Sequence, residues 1–149
     1  MKVLSETPAA TVSAPPGLTL ELPFGIVGFP EHQRGEVLHV EDQLPFQWLR
    51  LHGPTPLNFV VIDPAGLVPD YAPELFDEDA ASLGIVTADD ALVLNIVTVS
   101  RTQPATATVN LVGPLIINRH TGRARQVVIS NHSRYSARHP LVTAEGGDR

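Results

Sequence analysis

The chain has 149 residues, a net charge of −6, 43% hydrophobic residues and no cysteine. Such a length supports one domain that buries roughly two-thirds of its unfolded surface without metal or disulfide support. Disulfides, thiolate metal sites and thiol nucleophiles are excluded, no apolar run nears the ~20 residues of a membrane helix, and a cytoplasmic protein is expected.

Residues 1–17 are rich in Ala, Pro, Ser and Thr and read as a flexible leader. Leu18–Leu22 alternates as a first strand, closed by Pro23. In Phe24–Pro30 two glycines and a proline make a tight turn, which Phe24, Ile26 and Phe29 are expected to pin to the core. The turn is no phosphate loop, because no lysine follows the glycines. Gly35–Glu41 is the second strand, with Leu38 and Val40 expected inward, and Pro45–Leu51 the third. Leu57–Ile62 is nearly continuous in apolar residues and so reads as a central strand.

The stretch from Leu67 to Gly84 changes character. It is acidic, poor in β-branched residues and partly at helical spacing. Asp77 is expected to cap one short helix that ends at Gly84. Ala91–Val99 is a long strand, and Thr106–Ile129 then reads as a hairpin kinked at Gly113-Pro114 and turning at Arg119–Gly122. Order is expected to fade near Pro140, and 136–149 is read as a mobile tail. The fold class is mainly β: a small antiparallel β-barrel-like single domain, 18–135, with one short helix.

The chemistry of catalysis is not assembled. His32, His39, His52, His120, His132 and His139 lack close ligand spacing, no serine stands in a nucleophile elbow, and Asp77–Asp79 lacks the spacing of a calcium loop. A non-enzyme with no cofactor and no metal is therefore expected. Asn58, Asn95, Asn110, Asn118 and Gln126 interrupt strand-like runs, and each either bonds backbone or faces a partner. Asn118 reads as structural and Asn110 as either.

Charge divides the chain. Up to residue 100, fourteen acids stand against Lys2, Arg34 and Arg50; beyond it, seven arginines stand against Glu145 and Asp148. An acidic surface attracts basic partners and repels nucleic acid. A patch of Arg119, Arg123, Arg125, Arg134 and Arg138 would serve the alternative, a small oligonucleotide-binding barrel.

Several ordered motifs carry a resemblance: Phe24-Gly-Ile-Val-Gly-Phe-Pro30, Pro45-Phe46, Asn58–Pro64, Asp70-Tyr71, Leu92–Thr98, Val109–Asn118, and Gly122 with Arg125-Gln126-Val127. Together they resemble the bacterial flagellar assembly factor FliW family. The leader and the arginine-bearing tail depart from its pattern. The resemblance implies a non-enzymatic β-barrel-like protein with two protein partners, flagellin and the translational repressor CsrA. It further implies that CsrA is removed from flagellin mRNA indirectly, from outside the RNA site. Repressor contact is expected at Asp63, Asp70, Tyr71, Glu74 and Asp77, with Tyr71 either an aromatic anchor or a core residue under the loop. Flagellin contact is expected at Phe24, Phe29 and Trp48. No direct nucleic-acid or membrane binding is expected, and the protein is expected to be a monomer.

Overall fold

In chain order the computed structural model holds β1 (Leu18–Glu21), β2 (Arg34–His39), β3 (Phe46–His52), β4 (Leu57–Ile62), α1 (Asp77–Ser82), β5 (Ala91–Ser100), β6 (Thr106–Val109), β7 (Leu115–Asn118), β8 (Ala124–Gln126) and β9 (His139–Pro140). It describes residues 3, 18–39, 46–65, 67–100 and 106–141. The leader lies outside them apart from Val3, which is buried. Of the expected tail, 142–149 lies outside as well, while β9 pairs with β6.

All strand pairings are antiparallel, in the order β1-β2-β3-β4-β5-β6-β9, with β7 on β5 and β8 on β7. The long strand β5 makes this branching possible. Its first half, Ala91–Leu94, pairs with β7, and its second half, Val97–Ser100, pairs with β6. The far edge returns toward the start: Glu21 N–H donates to Gly122 C=O at 2.9 Å, and Glu21 bridges Arg123 in parallel. The sheet thus curls into a half-barrel. Gly122 is required at this seam, since it holds φ +80° and a Cβ there would stand 2.5 Å from the Thr19 carbonyl oxygen.

Strand alternation sends side chains to two cores. Leu20, Leu22, Val37, Leu49, Leu51, Val61, Leu92, Leu94, Leu115 and Ile117 fill the inner one. Ile62, Val93, Val97, Val109 and Ile116 point the other way, to an outer core shared with Tyr71, Leu75, Ala80, Leu83, Val127 and Ile129. Strands β5 and β7 are therefore covered on both faces, which is why their sequences run apolar without a break. Leu57–Ile62 is central as expected, between β3 and β5.

Several local expectations are corrected. The 106–129 stretch is not one kinked hairpin: β6 and β7 occupy different parts of the sheet, and only β7 and β8 pair as a hairpin. Asn110 causes the break, its Oδ1 accepting from the N–H groups of Val112 and Gly113 at 3.0 and 2.9 Å, with Pro114 unable to donate. On β2 it is Val37 that is fully buried while Leu38 is half-buried; Val40 lies outside the described residues. Register decides this, since Val37 stands opposite the inward Leu49. Of the three apolar side chains expected to pin the Phe24–Pro30 turn, Ile26 is buried, while Phe24 and Phe29 are exposed. Asp77 is the first helical residue rather than the cap; Phe76 takes the cap position in extended backbone, without a side-chain bond.

Candidate functional site

The acidic segment between β4 and α1 has little regular structure, so side chains hold it in place. Tyr71 O–H donates to the Leu111 carbonyl at 2.7 Å and accepts from Asn95 Nδ2 at 3.2 Å. Tyr135 O–H accepts from Ala72 N–H and donates to the Asp70 carbonyl. Asn131 accepts from Glu74 N–H and donates to the Ala72 carbonyl, and the two tyrosine rings meet edge-on at 5.0 Å. Burial pushes the Tyr71 hydroxyl far above the ordinary tyrosine range, with Asn95 only partly opposing, so it stays a neutral donor.

Of the two readings of Tyr71, the core residue is the correct one. With 2% of its surface exposed it cannot anchor a partner, because the ring closes the outer core from beneath the segment. The exposed aromatic of this region is Phe76, at 47%, with Leu67 also exposed. The sequence does not single out Phe76, because Leu75 and Phe76 both fall at helical spacing, Leu75 with Asp79 and Leu83 and Phe76 with Ala80 and Leu83.

The acids divide by use. Asp63 is half-buried and accepts from Ala65 N–H; burial raises its pKa and that hydrogen bond partly restrains it. Asp79 pairs with Arg125 at 3.3 Å. Asp90 accepts from the N–H groups of Thr87 and Val86 and meets His120 Nε2 at 3.0 Å, and those backbone donors hold its carboxyl below the usual range. Asp70, Glu74, Asp77 and Glu78 make no ion pair among the described residues. Asp70 and Asp77 are exposed and Glu74 half-buried. Asp70 also holds a left-handed backbone, φ +65°. What this segment presents outward is negative charge beside one exposed ring.

The three aromatics proposed for flagellin do not come together. Phe24 (62% exposed) and Val27 sit on the turn after β1, with Phe24 stacked under the Arg125 guanidinium at 4.8 Å. Phe29 packs edge-on against Phe59, which belongs to the inner-core side of β4. Trp48 stands opposite Leu38 and Val60, on the other face of the sheet.

Four of the five arginines engage groups of this chain. Arg119 donates to the Ala91 carbonyl, Arg123 to the Ser82 carbonyl, Arg125 pairs with Asp79, and Arg134 lies over the Tyr135 ring. Of the polar strand residues, Asn118 donates to the Leu83 carbonyl and accepts from the N–H groups of His120 and Thr121. Gln126 links Gly113 to Val27, and Asn58 accepts from Arg50. Among the described residues no group of three or more His, Asp or Glu is placed to hold a metal ion, and no helix is long and apolar enough to cross a membrane.

Fold and surface together define a class: a half-barrel of antiparallel strands that, among the described residues, presents acids without ion pairs and exposed rings outward. Comparison with known proteins sharpens this. Residues 4–141 match the family model described as FliW protein, and the chain belongs to that family. It is 35% identical over 127 residues to a flagellar assembly factor FliW of Natranaerobius thermophilus, covering 85% of this chain and 83% of that one. It is 32% identical over 154 residues to that of Desulfitobacterium hafniense, covering 99% of each. A crystal structure of the flagellar assembly factor FliW superposes with a TM-score of 0.74 at 31% identity, covering 86% of this chain and 88% of that one.

Proposed function

We propose that this FliW-family protein is a non-enzymatic cytoplasmic regulator that binds flagellin and the translational repressor CsrA. It holds flagellin before export; as flagellin leaves, the freed protein binds CsrA and relieves repression of flagellin mRNA indirectly, from outside the RNA site. The observation that carries the repressor half is the segment from Asp70 to Glu78. Among the described residues its acids make no ion pair, while Asp63, Asp79 and Asp90 are already engaged. A repressor that binds RNA carries positive charge, so an acidic face steers it and repels phosphate beside it. Phe76 replaces Tyr71 as the apolar contact within that face.

The oligonucleotide-binding alternative draws less support. Four of its five arginines are directed at this chain's own carbonyls, carboxylate or ring, and the net charge is negative.

Calorimetric titration with the host's CsrA at two salt concentrations tests the reading. Saturable binding that weakens with salt is expected. Neutralising the face with Asp70→Asn, Glu74→Gln and Asp77→Asn should weaken binding by about tenfold or more, near 1.4 kcal/mol. Asparagine suits the left-handed backbone at position 70, so the fold should persist. Unchanged affinity would move the contact elsewhere, and failure to bind both CsrA and flagellin would remove the proposal.

A further inference from the structure

A cavity of about 250 Å³ opens where the turn after β1 faces β8 and the end of α1. Its floor is Leu83 and Ala124, both buried, and its walls include Pro23 and the exposed ring of Phe24. Arg123 and Arg125 stand at the same cavity with Ser82. Both guanidiniums face the last turn of α1, where carbonyl groups lack helical partners and cations are favoured.

Their contacts leave donor capacity over. Arg123 Nη1 reaches the Ser82 carbonyl at 3.3 Å; Arg125 Nη1 reaches Ser82 Oγ at 3.4 Å and Asp79 Oδ1 at 3.3 Å. Charge-assisted bonds are shortest and strongest at ~2.7–2.9 Å, and a guanidinium carries five N–H donors. Arg123 makes no ion pair among the described residues, and neither does Glu21, whose backbone bridges it. In a chain of net charge −6 this cavity reverses the sign, with two cations against Asp79.

We propose that the cavity binds the free C-terminal carboxylate of a peptide together with the apolar side chain of its last residue. A terminal residue carries its carboxylate and its side chain on one Cα, so the guanidiniums can take the first while Phe24, Leu83 and Ala124 cover the second. An internal glutamate carries its carboxylate at the tip of the same side chain and would leave the apolar floor uncovered. The volume falls below the ~300–1,000 Å³ of small-molecule sites, which suits one residue and not a nucleotide. This assignment rests on the cavity and not on the CsrA or flagellin reading.

The test is an NMR titration of the full chain with N-acetyl-leucine, with N-acetyl-leucinamide as the neutral match and inorganic phosphate as the bare anion. Expected are saturable shifts at Phe24, Ser82 and Arg123–Arg125 with the carboxylate alone. Dissociation on the order of millimolar is expected, as suits a probe of one residue. Arg123→Gln should weaken binding at least severalfold. Phe24→Ala should do the same, and because its ring is exposed the domain should keep its thermal midpoint, so the test survives if the arginine variant is poorly folded. Equal binding of the amide, equal shifts from phosphate, or no saturable shift in the unmodified chain would each overturn the assignment. So would full affinity in the Phe24→Ala variant.

Discussion

The inner and outer cores are built from the same strands, yet they are held by different forces. On the inner side nearly every buried side chain is aliphatic, with Gln47 the exception, and backbone ladders already satisfy the polar groups of the strands. On the outer side, segments 68–76 and 127–136 have no long ladder. Asn131 and Tyr135 bond the backbone of the first segment instead, Tyr71 ties it to the Leu111 carbonyl and to Asn95, and Asn118 holds the Leu83 carbonyl at the end of α1. A sheet face needs volume; an irregular cover needs particular donors and acceptors, because each buried carbonyl without a partner costs about 1–3 kcal/mol. The surface proposed for the repressor is carried on that irregular cover, so its shape depends on polar side chains beneath it.

Four substitutions sharpen the contrast. Leu94→Ala on the inner face should cost about 2–5 kcal/mol, while Leu94→Met, which conserves volume, should cost less than about 1.5 kcal/mol; urea unfolding midpoints measure both. A large loss for Leu94→Met would mean that the inner side also depends on exact shape. On the outer side, Asn118→Ala should cost about 1–3 kcal/mol, since it strips the bond to Leu83 C=O and two N–H bonds in the β7–β8 turn. Hydrogen exchange should show the end of α1 loosening first. Smaller than the loss at Asn118 is that of Tyr71→Phe, with almost no change in volume, at about 1–2 kcal/mol from the lost bond to Leu111 C=O. A variant as stable as the parent would mean that the outer cover is held by apolar packing alone.

The charge pattern was only half legible. The acid-rich segment stands out in the sequence, but which of its acids are already engaged does not. Asp79 finds Arg125 from a strand 46 positions later, and Asp63 turns into its own loop. Tyr71 shows the same limit. Its position in an acidic loop suits an anchor as well as a core residue, and only the Leu111 carbonyl, reached across 40 residues, separates the two.

The positions of β1 to β8, the central place of Leu57–Ile62, the turn glycines and the single short helix followed from the sequence, because alternation, β-branching and turn chemistry act between near neighbours; β9, in the expected tail, did not. The tertiary structure alone decided which face of β2 is inward, how β5 divides between β6 and β7, and why Phe76 is exposed while Tyr71 is buried. It also brought Phe24, Ser82, Arg123 and Arg125 to one cavity. Each of those outcomes depends on residues distant in the chain, through register and through hydrogen bonds that form only once the sheet has curled.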